Sequence, residues 1–156
     1  MTTDSEDPRM ASVSPSRTTD TALAVLRIAL GVVFFAHGWQ KIFQFTLPGV
    51  QSSFGQMGVP AAEIAGPVVA FLELIGGAAL VLGLVTRVVG ALLALDMLGA
   101  IVLVHGQSGL FVDQGGMELV LLLGVGALAL AIAGAGRFSV DALLFGRRGG
   151  RVAQLA

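Results

Sequence analysis

The sequence predicts an all-α integral membrane protein, a four-helix bundle with both termini on the cytoplasmic side. Three observations carry this reading. Of 156 residues, 55% are apolar and only 12% are charged, whereas a water-soluble domain of this length keeps its apolar residues in short patterned runs. Here they stand in four blocks, each near the roughly 20 residues that cross a hydrocarbon core about 30 Å thick. The basic residues gather at the ends that an even number of crossings brings to one side.

The first twenty residues hold four of the ten acids (Asp4, Glu6, Asp7, Asp20) and almost no large apolar side chain. Such a segment buries too little surface to offset its ordering entropy, so residues 1–20 are expected to be a disordered cytoplasmic tail. Its mixed charge, and the Arg27 and His37 that follow, argue against a cleaved secretory signal. Residues 21–145 form the membrane domain, with spans expected at about 21–43, 65–85, 88–105 and 117–135. Residues 146–156 form a basic cytoplasmic tail.

Between the first two spans, Gln44 to Pro60 is rich in Gly, Pro and Gln, and Pro60 is placed to open the next helix. An interfacial helix or a re-entrant turn fits this stretch. Only Thr86 and Arg87 separate the second and third spans, which dictates an antiparallel helical hairpin. Gly106 to Gly116 joins the third span to the fourth. After Gly134 and Gly136, Ser139 stands where a cap would open a short interfacial helix over Arg137 to Phe145.

Orientation follows from Arg9, Arg17, Arg87, Arg137, Arg147, Arg148 and Arg151, which all fall on one side; by the positive-inside rule that side is cytoplasmic, in a plasma membrane. Glycines in the spans, including Gly76, Gly77, Gly83, Gly90, Gly99, Gly124 and Gly126, allow close backbone approach in lipid. The net charge of -1 gives no basic nucleic-acid surface. The absence of cysteine excludes thiol–disulfide exchange and thiolate metal sites on this chain.

The residues that lipid should exclude are the informative ones. Counting along the helices puts Glu73 and Asp96 near the bilayer centre and Arg27 about 9 Å to its cytoplasmic side. These three are expected to form a mid-membrane cluster. Arg27, Gly31, Phe34, Gly38 and Lys41 share one face of the first helix, turned towards the two acids. One reading makes Arg27 a neutralising partner that holds the bundle in register. The other leaves a surplus carboxylate free to share and relay protons. A second group, His37, Lys41, His105 and Glu118, lies nearer the outer face, either as a ligand pocket or as interfacially solvated side chains. Its spacing gives no metal signature, and Trp39, Phe43 and Phe45 read as interface anchors rather than a haem box.

Several stretches resemble the DoxX family of small four-helix membrane proteins. Leu26 to Phe43 (LRIALGVVFFAHGWQKIF) carries Arg27, Gly31, His37, Gly38 and Lys41 in the family's positions. Gly58 to Pro60 and Phe71 to Arg87 add Glu73, Gly76, Gly77, Gly83 and Arg87, and Gly116 to Leu144 adds Glu118, Gly134, Gly136, Arg137, Ser139 and Asp141. The resemblance implies a link to membrane oxidoreductase systems, including thiosulfate-to-quinone electron transfer. In that setting the chain serves as a subunit that binds quinone, or as an anchor for a soluble redox enzyme such as a superoxide dismutase or a sulfurtransferase. The chain shows no dinucleotide-binding fingerprint and no evident haem ligands of its own. A small transporter working as a homo-oligomer, and a purely structural scaffold, are the other classes the polar residues allow.

Overall fold

A computed structural model describes residues 17–145, and among them every regular element is helical. Helix α1 (Arg17–Trp39) runs on through a π-helical turn at Gln40–Gln44. A short helix α2 (Leu47–Gln56) precedes α3 (Ala62–Leu82). Helix α4 (Thr86–Ala100) also ends in a π-helical turn, Ile101–His105, and a 3-10 turn at Val112–Gln114 leads to α5 (Glu118–Ala133) and α6 (Val140–Phe145).

Three helical segments are long and apolar enough to cross a membrane: Arg17–Gln44, Ala62–Leu82 and Thr86–His105. Helix α5 is apolar but has only 16 residues, which makes it about 24 Å long. Local chemistry sets the limits. Helix α3 opens after Pro60 and a left-handed Ala61 (φ 51°), three residues before the expected 65, and closes at Gly83, whose φ of 69° no ordinary side chain adopts cheaply. Residues 17–20, expected in the disordered tail, are helical. Helix α1 begins at Arg17, and Asp20 is buried because it accepts a hydrogen bond from Arg137 N (3.1 Å) across the bundle. The rest of that tail, and the basic tail of residues 146–156, lie outside the described residues.

Helix α1 packs along α3 and α4 along α5; contacts between α3 and α4 and between α1 and α5 close the ring, and α2 rests on the first turns of α3. Lipid tails are as apolar as leucine, so helices in a bilayer associate through packing rather than through a hydrophobic drive. The α1–α3 contact shows how that packing is achieved. A Cβ on Gly31 would lie 2.7 Å from Gly77 O, and one on Gly38 would fall on the Leu74 backbone. Leu30, Phe34, Leu80, Leu93, Met97, Leu123, Ala127 and Leu130 fill the centre. Large apolar side chains such as Val32, Val68, Leu95, Val102, Leu122 and Ile132 remain more than half exposed around the outside, as a lipid-facing belt requires.

At the α6 end the helix termini are held by side chains. Asp141 accepts from Val85 N (2.7 Å) and Thr86 N (3.0 Å), satisfying the first orphan amides of α4 and fixing Val85 at a φ of 47°. Arg87 donates to Ile132 O (2.8 Å) at the C-terminus of α5. Ser139 Oγ accepts from Ala142 N (3.1 Å), so it caps α6 as its place in the sequence predicts.

Two glycine substitutions should separate packing from propensity. Gly38→Ala should lower the thermal unfolding midpoint in detergent, at a cost of about 1–3 kcal/mol for overpacking. Gly99→Ala, where an added Cβ meets nothing within 4 Å, should hold or raise it by up to about 1 kcal/mol of helix propensity. Equal effects at the two positions would contradict the α1–α3 contact.

Candidate functional site

Near mid-depth, three helices each contribute one ionisable side chain. Lys41, in the π-helical turn that ends α1, forms an ion pair with Glu73 of α3. Their side chains are only 18% and 4% exposed, so the pair sits largely inside the bundle. Asp96 of α4 lies within electrostatic reach of both, and its Oδ2 is buried without a hydrogen-bond partner. One ammonium therefore faces two carboxyls in apolar surroundings. A buried carboxyl oxygen without a partner is costly to maintain; Asp20 Oδ2 at the α6 end shares this feature, and what sets Asp96 apart is its place beside a second carboxyl and an ammonium. The π-helical insertion is itself a feature that recurs at functional sites.

The structure brings Glu73 and Asp96 together, but Arg27 is not their partner. Arg27 is buried, donates from Nη2 to Phe138 O (2.7 Å), and lies within electrostatic reach of Asp141 at the α6 end. The reason is register. Helices α1 and α3 are antiparallel, and the contacts of Gly31 with Gly77 and of Gly38 with Leu74 set Arg27 opposite Gly83, whose missing Cβ leaves room for the guanidinium. Fourteen residues further along α1, about 21 Å away, Lys41 is the cation at the level of Glu73. The sequence holds no signal for this choice: Arg27 and Lys41 stand on one helical face, by residue count about 9 Å and about 12 Å on either side of the level of Glu73, and only the α1–α3 register decides between them.

The outer group of His37, Lys41, His105 and Glu118 does not converge. His37 Nδ1 donates to Val33 O one turn back (2.9 Å). His105 Nδ1 donates to Gly115 O (2.7 Å), and Glu118 Oε1 accepts from Val112 N (2.8 Å). The last two bonds tie down the loop between α4 and α5. None of the four is hydrogen-bonded to another, because Lys41 is turned inward to Glu73. Among the described residues no three His, Asp or Glu side chains are grouped to hold a metal ion.

A ring of apolar helices around an ion pair and a third acid defines a small helical membrane protein with an internal polar site. The comparisons agree and sharpen the class: the family model DoxX matches residues 22–106, and the chain belongs to the DoxX family. It is 36% identical over 129 residues to the Bacillus subtilis protein named "Putative oxidoreductase CatD", covering 82% of this chain and 91% of that one. It is 34% identical over 125 residues to the Escherichia coli "Inner membrane protein YqjF", covering 80% of this chain and 93% of that one. It is also 34% identical over 128 residues to the "Uncharacterized membrane protein Rv3486" of Mycobacterium tuberculosis, covering 74% of this chain and 77% of that one. No solved structure matches it.

The ion pair makes a clear energetic prediction. Lys41→Met or Glu73→Leu alone removes one partner of a buried pair and should destabilise by about 3–5 kcal/mol. The double variant Lys41→Met/Glu73→Leu should recover much of that loss, giving a strongly non-additive double-mutant cycle in thermal or denaturant unfolding. Additive single effects would mean that the two side chains do not meet.

Proposed function

We propose that the protein is a membrane subunit or anchor of an oxidoreductase system, in which Lys41, Glu73 and Asp96 manage protons beside a bound quinone. The observation that carries this reading is the count of charges at the site: two carboxyls share one buried ammonium, so charge balance is met when the pair of acids holds one proton. Reducing a quinone to its quinol takes two electrons and two protons. This chain, without cysteine, is suited to the proton half, and a soluble redox enzyme supplies the electrons. Lys41 has N–H groups for a quinone carbonyl, and the free Asp96 Oδ2 is a proton-exchanging neighbour. The name of the Bacillus subtilis relative supports a redox setting for such a bundle.

The same reading places both termini in the cytoplasm of a plasma-membrane protein. Arg17, Arg87 and Arg137 all lie at the α6 end of the bundle, where the positive-inside rule puts the cytoplasm. That end is then the face a soluble redox partner meets.

The test is quantitative mass spectrometry of the protein, its lipids and its co-purifying proteins after gentle extraction from native membranes, against an untagged control. Near-stoichiometric quinone or a soluble oxidoreductase is expected, with quinone retention reduced in Asp96→Asn. Recovery of neither would overturn the redox reading.

A further inference from the structure

The apolar packing of the bundle is lopsided about the ion cluster. Relative to Glu73 and Asp96, the six largest fully buried side chains, Phe34, Leu80, Leu93, Leu130, Thr86 and Asp20, all lie towards the α6 end. Leu30 and Ala127 join them there in one continuous core. Inward of the cluster, the next turn of α3 presents Gly76, against Val89 and Leu93, and Gly77, against the α1 backbone at Phe35; beyond it Leu80 on α3, like Leu93 on α4, is fully buried. Towards the α2 end the buried apolar residues thin to Val50 and Ala70, with Met97 and Leu123 at the level of the cluster. One turn outward, Glu73 and Asp96 are followed by the small Ala70 and Ala100. Lys41 stands only three residues from the end of its helix, with a side chain 18% exposed.

From this asymmetry we infer that protons and water reach the Lys41–Glu73–Asp96 site from the α2 side of the membrane only, the α6 side being sealed. The inference rests on reading that cluster as the working site, but it does not depend on quinone or on any redox partner. The seal is physical. A proton moving from the cluster to the α6 end would have to cross Phe34, Leu80, Leu93 and Leu130, where the described residues offer no polar side chain to carry it until Arg27 and Asp141. On the other side the nearest ionisable groups outward of the cluster are His105 and Glu118, both half-buried at the rim. His37, which shares the Lys41 end of α1, is held by Val33 O.

The chain has no cysteine, so single thiols report access without background. Ala100→Cys, one turn outward from Asp96, and Val89→Cys, two turns inward on the same face of α4, would be placed in full-length protein in oriented membrane vesicles. Each would be exposed to a charged, membrane-impermeant methanethiosulfonate from one side at a time. Ser52→Cys on α2 and Thr18→Cys at the start of α1, both exposed, fix which side is which. The expected result is labelling of Ala100→Cys from the Ser52 side only, at least tenfold faster than from the Thr18 side, with Val89→Cys unlabelled from either. Labelling of Ala100→Cys from the Thr18 side, labelling of Val89→Cys from any side, or no labelling of Ala100→Cys would each overturn the inference. The redox reading fails separately, in the quinone and partner recovery, so the two outcomes remain distinguishable.

Discussion

The backbone contact between α1 and α3 governs most of what the bundle does. In lipid, two apolar helices have no reason to seek each other, and only close approach gives them enough contact to stay together. Gly31 and Gly38 on one helix, with Gly77 on the other, permit that approach. Once the backbones are this near, the register is no longer adjustable, because sliding by one residue would drive a Cβ into the facing chain. The register then assigns the charges. Lys41 is carried to Glu73 and Arg27 to Gly83, and neither cation can take the other's place. A pair buried this deeply would be unfavourable if it were brought together by its own attraction alone; here the helices impose the geometry and the pair completes it.

The α6 end works by a different logic. There the problem is the loose backbone at four helix ends, which has neither lipid-compatible partners nor free access to water. Asp141 holds the start of α4, Arg87 the end of α5, and Arg27 and Asp20 reach the segment between α5 and α6. These are buried or half-buried charges that serve as caps and ties. They explain why Arg27, the most conspicuous intramembrane cation in the sequence, belongs to the fixing of the fold and lies apart from the acids at mid-depth.

How much of this could be read from the sequence follows from the range of each signal. Hydropathy is local, so four apolar blocks announce four helices, and Ser139 and Pro60 mark helix starts through equally local chemistry, whereas Gly83, expected inside a span as a close-approach glycine, proves to end α3. Which cation meets which acid is not local: it depends on which helices become neighbours and on the register their glycines allow. Arg27 and Lys41 share a helical face and bracket the level of Glu73 at similar distances, so neither periodicity nor depth could choose between them. The π-helical turns at Gln40–Gln44 and Ile101–His105 leave no mark in composition. The α2 helix stood as one of two options because a Gly- and Pro-rich stretch supports either a helix or a re-entrant turn.

The placement of the apolar core also bears on the choice between a redox subunit and a permeation path. A pathway across the membrane needs polar or hydrated lining through its whole depth, whereas the described bundle has ionisable side chains at the cluster and at the outer rim and a buried apolar block of Phe34, Leu80, Leu93 and Leu130 towards the α6 end. Among the described residues no polar side chain bridges that block between the acids and Arg27. That arrangement is poorly suited to transfer between compartments. Conduction in this architecture would require the tightest-packed part of the bundle to part, against the same α1–α3 contact that sets the ion pair. The geometry that makes Lys41, Glu73 and Asp96 a site thus also confines them to one side.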